Sequence, residues 1–211
     1  MKSELINEFK HHGPYTFAGA AVSVIIMMAI RYFFPAALDT ERALELFEFS
    51  HPLHVILSAM VTAAVFNKYW KAKSWKGIAV VILIGYVGSI GIATLSDCIL
   101  PYWSERILGM DAHLHLGIVE MPIIINLAAL LGIGAALFSP KTGFPHAGHV
   151  LLSTMASLFH ILHAHAGTFS LMQGALVIVF LFIAVWVPCC FSDIAFPMLF
   201  TGKAEHHSHN R

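Results

Sequence analysis

Six long apolar segments dominate this chain and leave little polar surface for a water-soluble fold. A helix crosses the hydrocarbon core of a bilayer with about 20 apolar residues, and runs of this length recur along the sequence. Charged residues make up only 11% of the chain and the mean hydropathy is +0.76, whereas average usage is roughly 25% charged residues. The sequence therefore predicts an all-α integral membrane protein. The expected spans are residues 15–34, 52–70, 77–100, 116–138, 146–165 and 171–196.

The distribution of basic residues predicts the orientation of these spans. Nine of the 12 lysines and arginines fall on one side: Lys2, Lys10, Lys68, Lys71, Lys73, Lys76, Lys141, Lys203 and Arg211. The other three are Arg31, Arg42 and Arg106. Because cytoplasmic loops carry the excess of positive charge, we expect both termini in the cytoplasm. We also expect no cleaved signal peptide, because no small-residue cleavage site follows the first apolar run. The apolar spans make the lipid bilayer the expected partner. The formal net charge is zero, so nothing indicates binding to nucleic acid. Whether the chain forms a homo-oligomer is left open.

A decapeptide occurs twice in the chain. Residues 51–60 are HPLHVILSAM and residues 146–155 are HAGHVLLSTM, with six of ten positions identical at an offset of 95. A second match lies at an offset of 96, where Ser96-Asp97 with Pro101 corresponds to Ser192-Asp193 with Pro197. Matching polar residues in the same order indicate an internal duplication rather than chance similarity between apolar helices.

The two copies are predicted to run in opposite directions across the bilayer, because they lie in the second and fifth spans and successive spans alternate in direction. Residues 1–107 and 108–211 would then form two three-helix repeats of inverted topology, with six transmembrane helices in total. Inverted repeats of this kind are typical of secondary transporters.

Polar side chains recur at helical spacing within each copy, so each copy carries a polar stripe on one helix face. The first stripe is His51, His54, Ser58 and Thr62. The second is His146, His149, Ser153, Ser157 and His160. Polar groups in a span avoid lipid, so Ser58, Thr62, Ser153 and Ser157 are candidate pathway residues. The alternative is that these hydroxyls bond to their own helix or hold neighbouring helices together.

The chain contains 14 histidines, and their clustering with carboxylates predicts metal binding. Imidazole and carboxylate suit divalent zinc, iron, cobalt or nickel. Candidate ligands on the predicted outer side are His51, His54, Asp97, His113, His115, Glu120 and His160. Those on the inner side are His146, His149 and Asp193, with Cys189 and Cys190 one turn away.

These patterns favour a transporter of a divalent transition-metal cation that works by alternating access between the repeats. The alternative is a membrane-embedded enzyme with a histidine-bound metal, or a haem or redox protein. A structural subunit with interfacial histidines is a third hypothesis. An enzyme needs one active site, whereas this sequence duplicates its polar residues on both predicted sides, so we favour transport.

The predicted topology can be tested by cysteine labelling in intact cells. A single cysteine beside Lys73 should react with an impermeant thiol reagent only from the cytoplasm, and one beside Asp111 only from outside. Reaction of both positions from the same side would contradict the inverted arrangement of the repeats.

Overall fold

The computed structural model describes residues 2–138 and 143–191, with side chains from residues 13–138, 148–189 and 191. This part of the chain is helical and contains no strand. Its helices are α1 (Lys2–Phe33), α2 (Thr40–Trp70), α3 (Trp75–Thr94), α4 (Leu100–Ile107), α5 (Gly117–Glu120), α6 (Pro122–Phe138), α7 (Gly143–His163) and α8 (Leu171–Cys190). A π-helical turn, Leu95–Ile99, joins α3 to α4, and a 3-10 turn precedes α2.

Four helical stretches are long and apolar enough to cross a membrane, which is consistent with an integral membrane protein. They are Gly13–Phe33, Pro35–Trp70, Trp75–Ile107 and Leu171–Cys189. The apolar helix α6 is shorter, with 17 residues. The six-span count and the cytoplasmic location of the termini stay predictions.

The segment predicted as one span over residues 116–138 is divided into α5 and α6. Pro122 has no amide hydrogen to donate to the preceding turn, and it disfavours helical geometry at the residue before it. Met121 accordingly leaves the helical region, with φ −126° and ψ 52°. Glu120 therefore lies at the end of a short helix rather than within a continuous span.

The residues directly before 52 were not predicted to belong to a span. In the structure they are helical, because α2 begins at Thr40 and continues through Pro52. Asp39 caps this helix, since its side chain accepts a hydrogen bond of 2.8 Å from the amide of Arg42. The apolar side chains of Ala43 and Phe47, in the helical turns before Pro52, are buried. The helix that carries the first histidine pair is thus 31 residues long.

Helix α2 lies at the centre of the described structure. It packs against α3, α6 and α7, while α7 also packs against α1 and α8. The outer pairs are α3 with α6 and α1 with α8. The two helices that carry the repeated decapeptide are therefore in direct contact, and each has its own pair of neighbours.

Many large apolar side chains lie exposed on the outside of this bundle, while a set of polar side chains is buried inside it together with the apolar core. Ile25 on α1, Leu83 on α3 and Leu131 on α6 are more than half exposed, whereas His54, Asp97 and several other polar residues are fully buried. A soluble protein would show the reverse distribution. The arrangement suits a bundle surrounded by lipid, in which polar groups face the interior.

Arg31 fastens the end of α1 to the end of α7. Its guanidinium donates to the carbonyl oxygens of Leu162 and His165 and, at 3.2 Å, to that of Gly167. A third nitrogen donates to Leu38 at 3.0 Å. The last carbonyls of a helix have no partner within it, and the Arg31 guanidinium supplies hydrogen-bond donors for them. Its positive charge also interacts favourably with the negative end of the helix dipole.

Gly132 allows α6 to approach α2 closely, because a β-carbon there would overlap the Ile56 carbonyl and lie 2.8 Å from the Ala59 side chain. Gly132→Ala should therefore destabilise the protein by about 1–3 kcal/mol through overpacking. The matched control is Gly134→Ala on the same helix, where a β-carbon meets nothing within 4 Å. Thermal unfolding in detergent should show a loss for the first variant only; equal behaviour would contradict the close helix contact.

Candidate metal centre

Asp97 lies in the π-helical turn between α3 and α4. Within this turn the amide of Leu100 donates to the carbonyl of Leu95, five residues earlier. Pro101 follows and has no amide hydrogen to continue the α-helical pattern. Such single π turns are rare and frequently mark functional sites. Here the turn presents a carboxylate to the interior of the bundle.

The Asp97 carboxylate accepts hydrogen bonds from donors on both of its oxygens. Nδ1 of His51 and of His54 lie 2.8 and 2.6 Å from Oδ2. The hydroxyls of Ser96 and Ser153 donate to Oδ1 at 2.6 and 2.9 Å. A carboxylate offers about four acceptor sites, so this one is saturated. In this arrangement it orients both histidines. A direct contact between Asp97 and a cation, which the sequence suggested, stays a prediction.

This arrangement determines which ring nitrogen of each histidine is available. If Nδ1 carries the proton that is donated to Asp97, Nε2 keeps an unshared electron pair. Nε2 of His51 and of His54 is buried and has no hydrogen-bond partner within the described part of the chain. Metal-binding histidines commonly donate their second nitrogen to a carboxylate in this way. The pair is therefore oriented as metal ligands are.

Three buried side chains converge next to this carboxylate: His54 of α2, His149 of α7 and Cys189 of α8. Their donor atoms all lie within 4.8 Å of one another. Tetrahedral zinc holds its donors roughly 3.5 Å apart, so a modest inward movement would complete three ligands. We call these three residues with His51 and Asp97 the central cluster.

The central cluster unites residues that the sequence assigned to two separate sites. His54 and His149 occupy equivalent positions in the two decapeptides, and their rings are in edge-to-face contact with centroids 5.6 Å apart. Cys189 was not among the predicted ligands, although its spacing placed it near the second set. Residue type alone could have suggested it, because thiolate with imidazole is a common zinc donor combination.

The serines of the second stripe hold helices together. Ser157 donates to the carbonyl of Ser96 at 3.0 Å and lies 2.7 Å from the carbonyl of Ser153. Ser153 lies 3.2 Å from the Ser96 hydroxyl. Ser58 and Thr62 are buried on α2, and the Ser58 hydroxyl has no hydrogen-bond partner among the described residues. A pathway role for these residues stays a prediction.

A second group of titratable side chains lies towards the surface; we call it the peripheral cluster. Its members are Glu105 of α4, His115 before α5, Glu120 of α5, and His160 and His163 of α7. Nδ1 of His160 lies 2.6 Å from Glu105, and Nδ1 of His115 lies 3.1 and 3.2 Å from the two oxygens of Glu120. Ring contacts join His115 to His160 and to His163, with centroids 5.7 and 4.9 Å apart.

Phe47 separates the two clusters. Its ring stacks on His51 and meets His160 edge to face, with centroids 5.3 Å apart in both cases. Phe47 is itself only 1% exposed. A continuous series of side chains therefore leads from the partly exposed His115 to the buried His54, with one aromatic ring, that of Phe47, between the histidines of the two clusters.

The remaining predicted ligands are placed elsewhere or lie outside the described residues. The His113 side chain is 62% exposed and lies 3.5 Å from Asp111. His146 lies in the first turns of α7, where the side chain is not described, and Asp193 lies outside the described residues. His160 belongs to the peripheral cluster, separated from the first histidine pair by Phe47.

The comparisons with known proteins add no relative: no family model, no curated protein and no solved structure matches this chain.

The orienting role of Asp97 predicts that its replacement weakens metal binding through the two histidines that it holds. In Asp97→Asn, the side chain loses the negative charge that strengthens the hydrogen bonds from both imidazoles, so their preferred tautomers are held less firmly. Changes of this kind lower metal affinity by about 10–100-fold. Titration of the purified protein with Zn²⁺ would measure the loss. Ser96→Ala, which leaves both histidine contacts in place, should have a much smaller effect, and equal affinity of Asp97→Asn and wild type would contradict this role.

Proposed function

We propose that this chain is an integral membrane transporter of a divalent transition-metal cation, with the central cluster as its binding site. The observation that carries the proposal is the convergence of His54, His149 and Cys189 within 4.8 Å at the contact between the two helices that carry the repeat. Imidazole and thiolate donors favour borderline ions such as zinc or cobalt over magnesium or calcium.

The charges of the central cluster suit a divalent ion. A buried cation is costly unless nearby charges compensate it. The Asp97 carboxylate and a Cys189 thiolate would supply two negative charges, so that an ion of charge +2 would be neutralised. Thiolates bind metals in their deprotonated form, so binding would release the thiol proton.

The packing of the helices supports the inverted repeat. If α2 and α7 are equivalent, each should contact the helices equivalent to the other's neighbours. α2 packs against α3 and α6, and α7 packs against α8 and α1, which is the pattern that a two-fold axis between them would produce. His54 and His149 would lie close to this axis. In transporters with inverted repeats, the substrate binds near the bilayer midplane between the repeats.

A membrane-embedded metalloenzyme remains the second candidate. His54 and His149, which were predicted for two different sites, lie in one cluster, so the duplicated polar residues no longer favour transport over an enzyme. The burial of the ligands favours transport. A catalytic zinc keeps a position open to water or substrate, whereas His54 and His149 are fully buried and Cys189 is 2% exposed. An occluded site is expected of a transporter between its two open states.

The proposal predicts that Zn²⁺ uptake into proteoliposomes depends on the central ligands. His149→Ala and Cys189→Ser should each reduce uptake towards the level of empty liposomes, because each removes one of three donors. A fluorescent zinc indicator inside the vesicles would follow the flux. Cys98→Ser is the matched control, since Cys98 is also a buried cysteine but lies outside the three-donor group.

Two results would contradict transport. One is wild-type protein that binds Zn²⁺ at the central cluster yet moves none across the membrane under any ion gradient, which would favour an enzyme or a structural metal site. The other is a well-folded His149→Ala, Cys189→Ser protein, monodisperse by size-exclusion chromatography, that transports at the wild-type rate.

A further inference from the structure

The peripheral cluster contains donor atoms that the proposed transport site does not use. Oε2 of Glu105 and Nε2 of His160 and of His115 are all buried and have no hydrogen-bond partner within the described part of the chain. Unsatisfied buried polar atoms are costly, and a carboxylate oxygen more than most. A ligand that pairs with these three atoms would offset the free-energy cost of burying them.

The two imidazoles are oriented as those of the central cluster are. Nδ1 of His160 is held by Glu105 and Nδ1 of His115 is held by Glu120. When each Nδ1 donates its proton to the carboxylate, each Nε2 has an unshared pair for a cation. Both clusters therefore repeat one device, in which a carboxylate fixes the tautomer of a histidine inside the bundle.

We propose that the peripheral cluster is a second cation site, which binds a borderline divalent cation through imidazole nitrogen and carboxylate oxygen without a thiolate. His115 and His160 lie in ring contact with centroids 5.7 Å apart. His115 precedes α5 in a segment outside the helices, and its Nε2, like Nε2 of His160 and Oε2 of Glu105, is buried without a hydrogen-bond partner among the described residues.

The exposure of the cluster is graded from the surface inwards. The side chains of Glu120 and His115 are 39% and 20% exposed, whereas Glu105 and His160 are almost fully buried. A cation could therefore reach the outer members from solvent and exchange its water for the buried ones. Beyond His160 the Phe47 ring blocks the approach to His51.

The peripheral site would act as the first station of the route to the central cluster, and this role alone rests on the proposed transport function. Binding at the peripheral site stands on its own contacts. A cation would wait on the outer side of Phe47 until that ring moved. The two sites also differ chemically, since only the central one includes sulfur.

Co²⁺ binding to the detergent-solubilised full chain can distinguish the two sites. Equilibrium dialysis with metal analysis counts the bound ions, and a thiolate-to-cobalt charge-transfer band in the near ultraviolet reports the central cluster alone. Wild-type protein should bind two Co²⁺ and show the band. Glu105→Gln with His160→Ala should lose one Co²⁺ and keep the band. His149→Ala with Cys189→Ser should keep one Co²⁺ without it.

His113→Ala is the matched control, because this histidine neighbours the peripheral cluster but is mostly exposed; it should still bind two ions. If the inner double variant does not fold, His115→Ala with Glu120→Gln removes the outer half of the cluster and carries the same expectation. A folded peripheral variant that binds as many Co²⁺ ions as wild type would overturn the proposal. A wild-type count of one with the band present would overturn it too, while leaving the central site intact.

Discussion

The four hydrogen bonds to the Asp97 carboxylate hold the centre of this structure together. They come from α2, from α7 and from the π turn itself, so three parts of the chain meet at one buried charge. In an environment without water, removing any of these donors would leave the charge undercompensated. The positions of the helices and the orientation of the histidines therefore depend on the same group.

Because the carboxylate uses Nδ1 of His51 and His54, their Nε2 atoms keep the unshared electron pairs, and both atoms are buried without a hydrogen-bond partner in the described part of the chain. The same hydrogen bonds that hold the helices together therefore also determine which histidine nitrogens can act as metal ligands. The peripheral cluster contains the same type of contact between Glu105 and His160, so one interaction underlies both of the proposed sites. Phe47 lies between the two clusters, with its ring in contact with His51 on one side and His160 on the other, at 5.3 Å between centroids in both cases.

The helical membrane character and the approximate ends of most helices follow from apolar runs in the sequence. The helical spacing of His51 and His54 likewise predicted that both rings share one face of α2. Spacing alone, however, does not determine the depth at which two helices cross. His54 and His149 were therefore assigned to opposite sides, although the crossing of α2 and α7 brings them into contact.

The inward direction of Glu105, the position of Cys189 and the break before α6 were not predicted, for reasons of local helix geometry. The π turn adds one residue to a helix, which rotates everything after it by about 100°, so the inward direction of Glu105 could not be read from the pattern of α3. Cys189 lies on a helix that is apolar on all sides, where periodicity does not identify the inner face. Pro122 did signal the break before α6, yet the apolar run across it was read as one span.

X-ray absorption at the zinc edge tests the central claim most directly, because it identifies the atoms bound to the metal. In full-length protein loaded with one equivalent of Zn²⁺, the account predicts a sulfur neighbour at about 2.3 Å together with nitrogens at roughly 2.0–2.1 Å. The sulfur contribution should disappear in Cys189→Ser, with the imidazole scattering retained. A first shell of nitrogen and oxygen only in the wild type, or a sulfur signal that survives that substitution, would contradict a metal site formed by His54, His149 and Cys189.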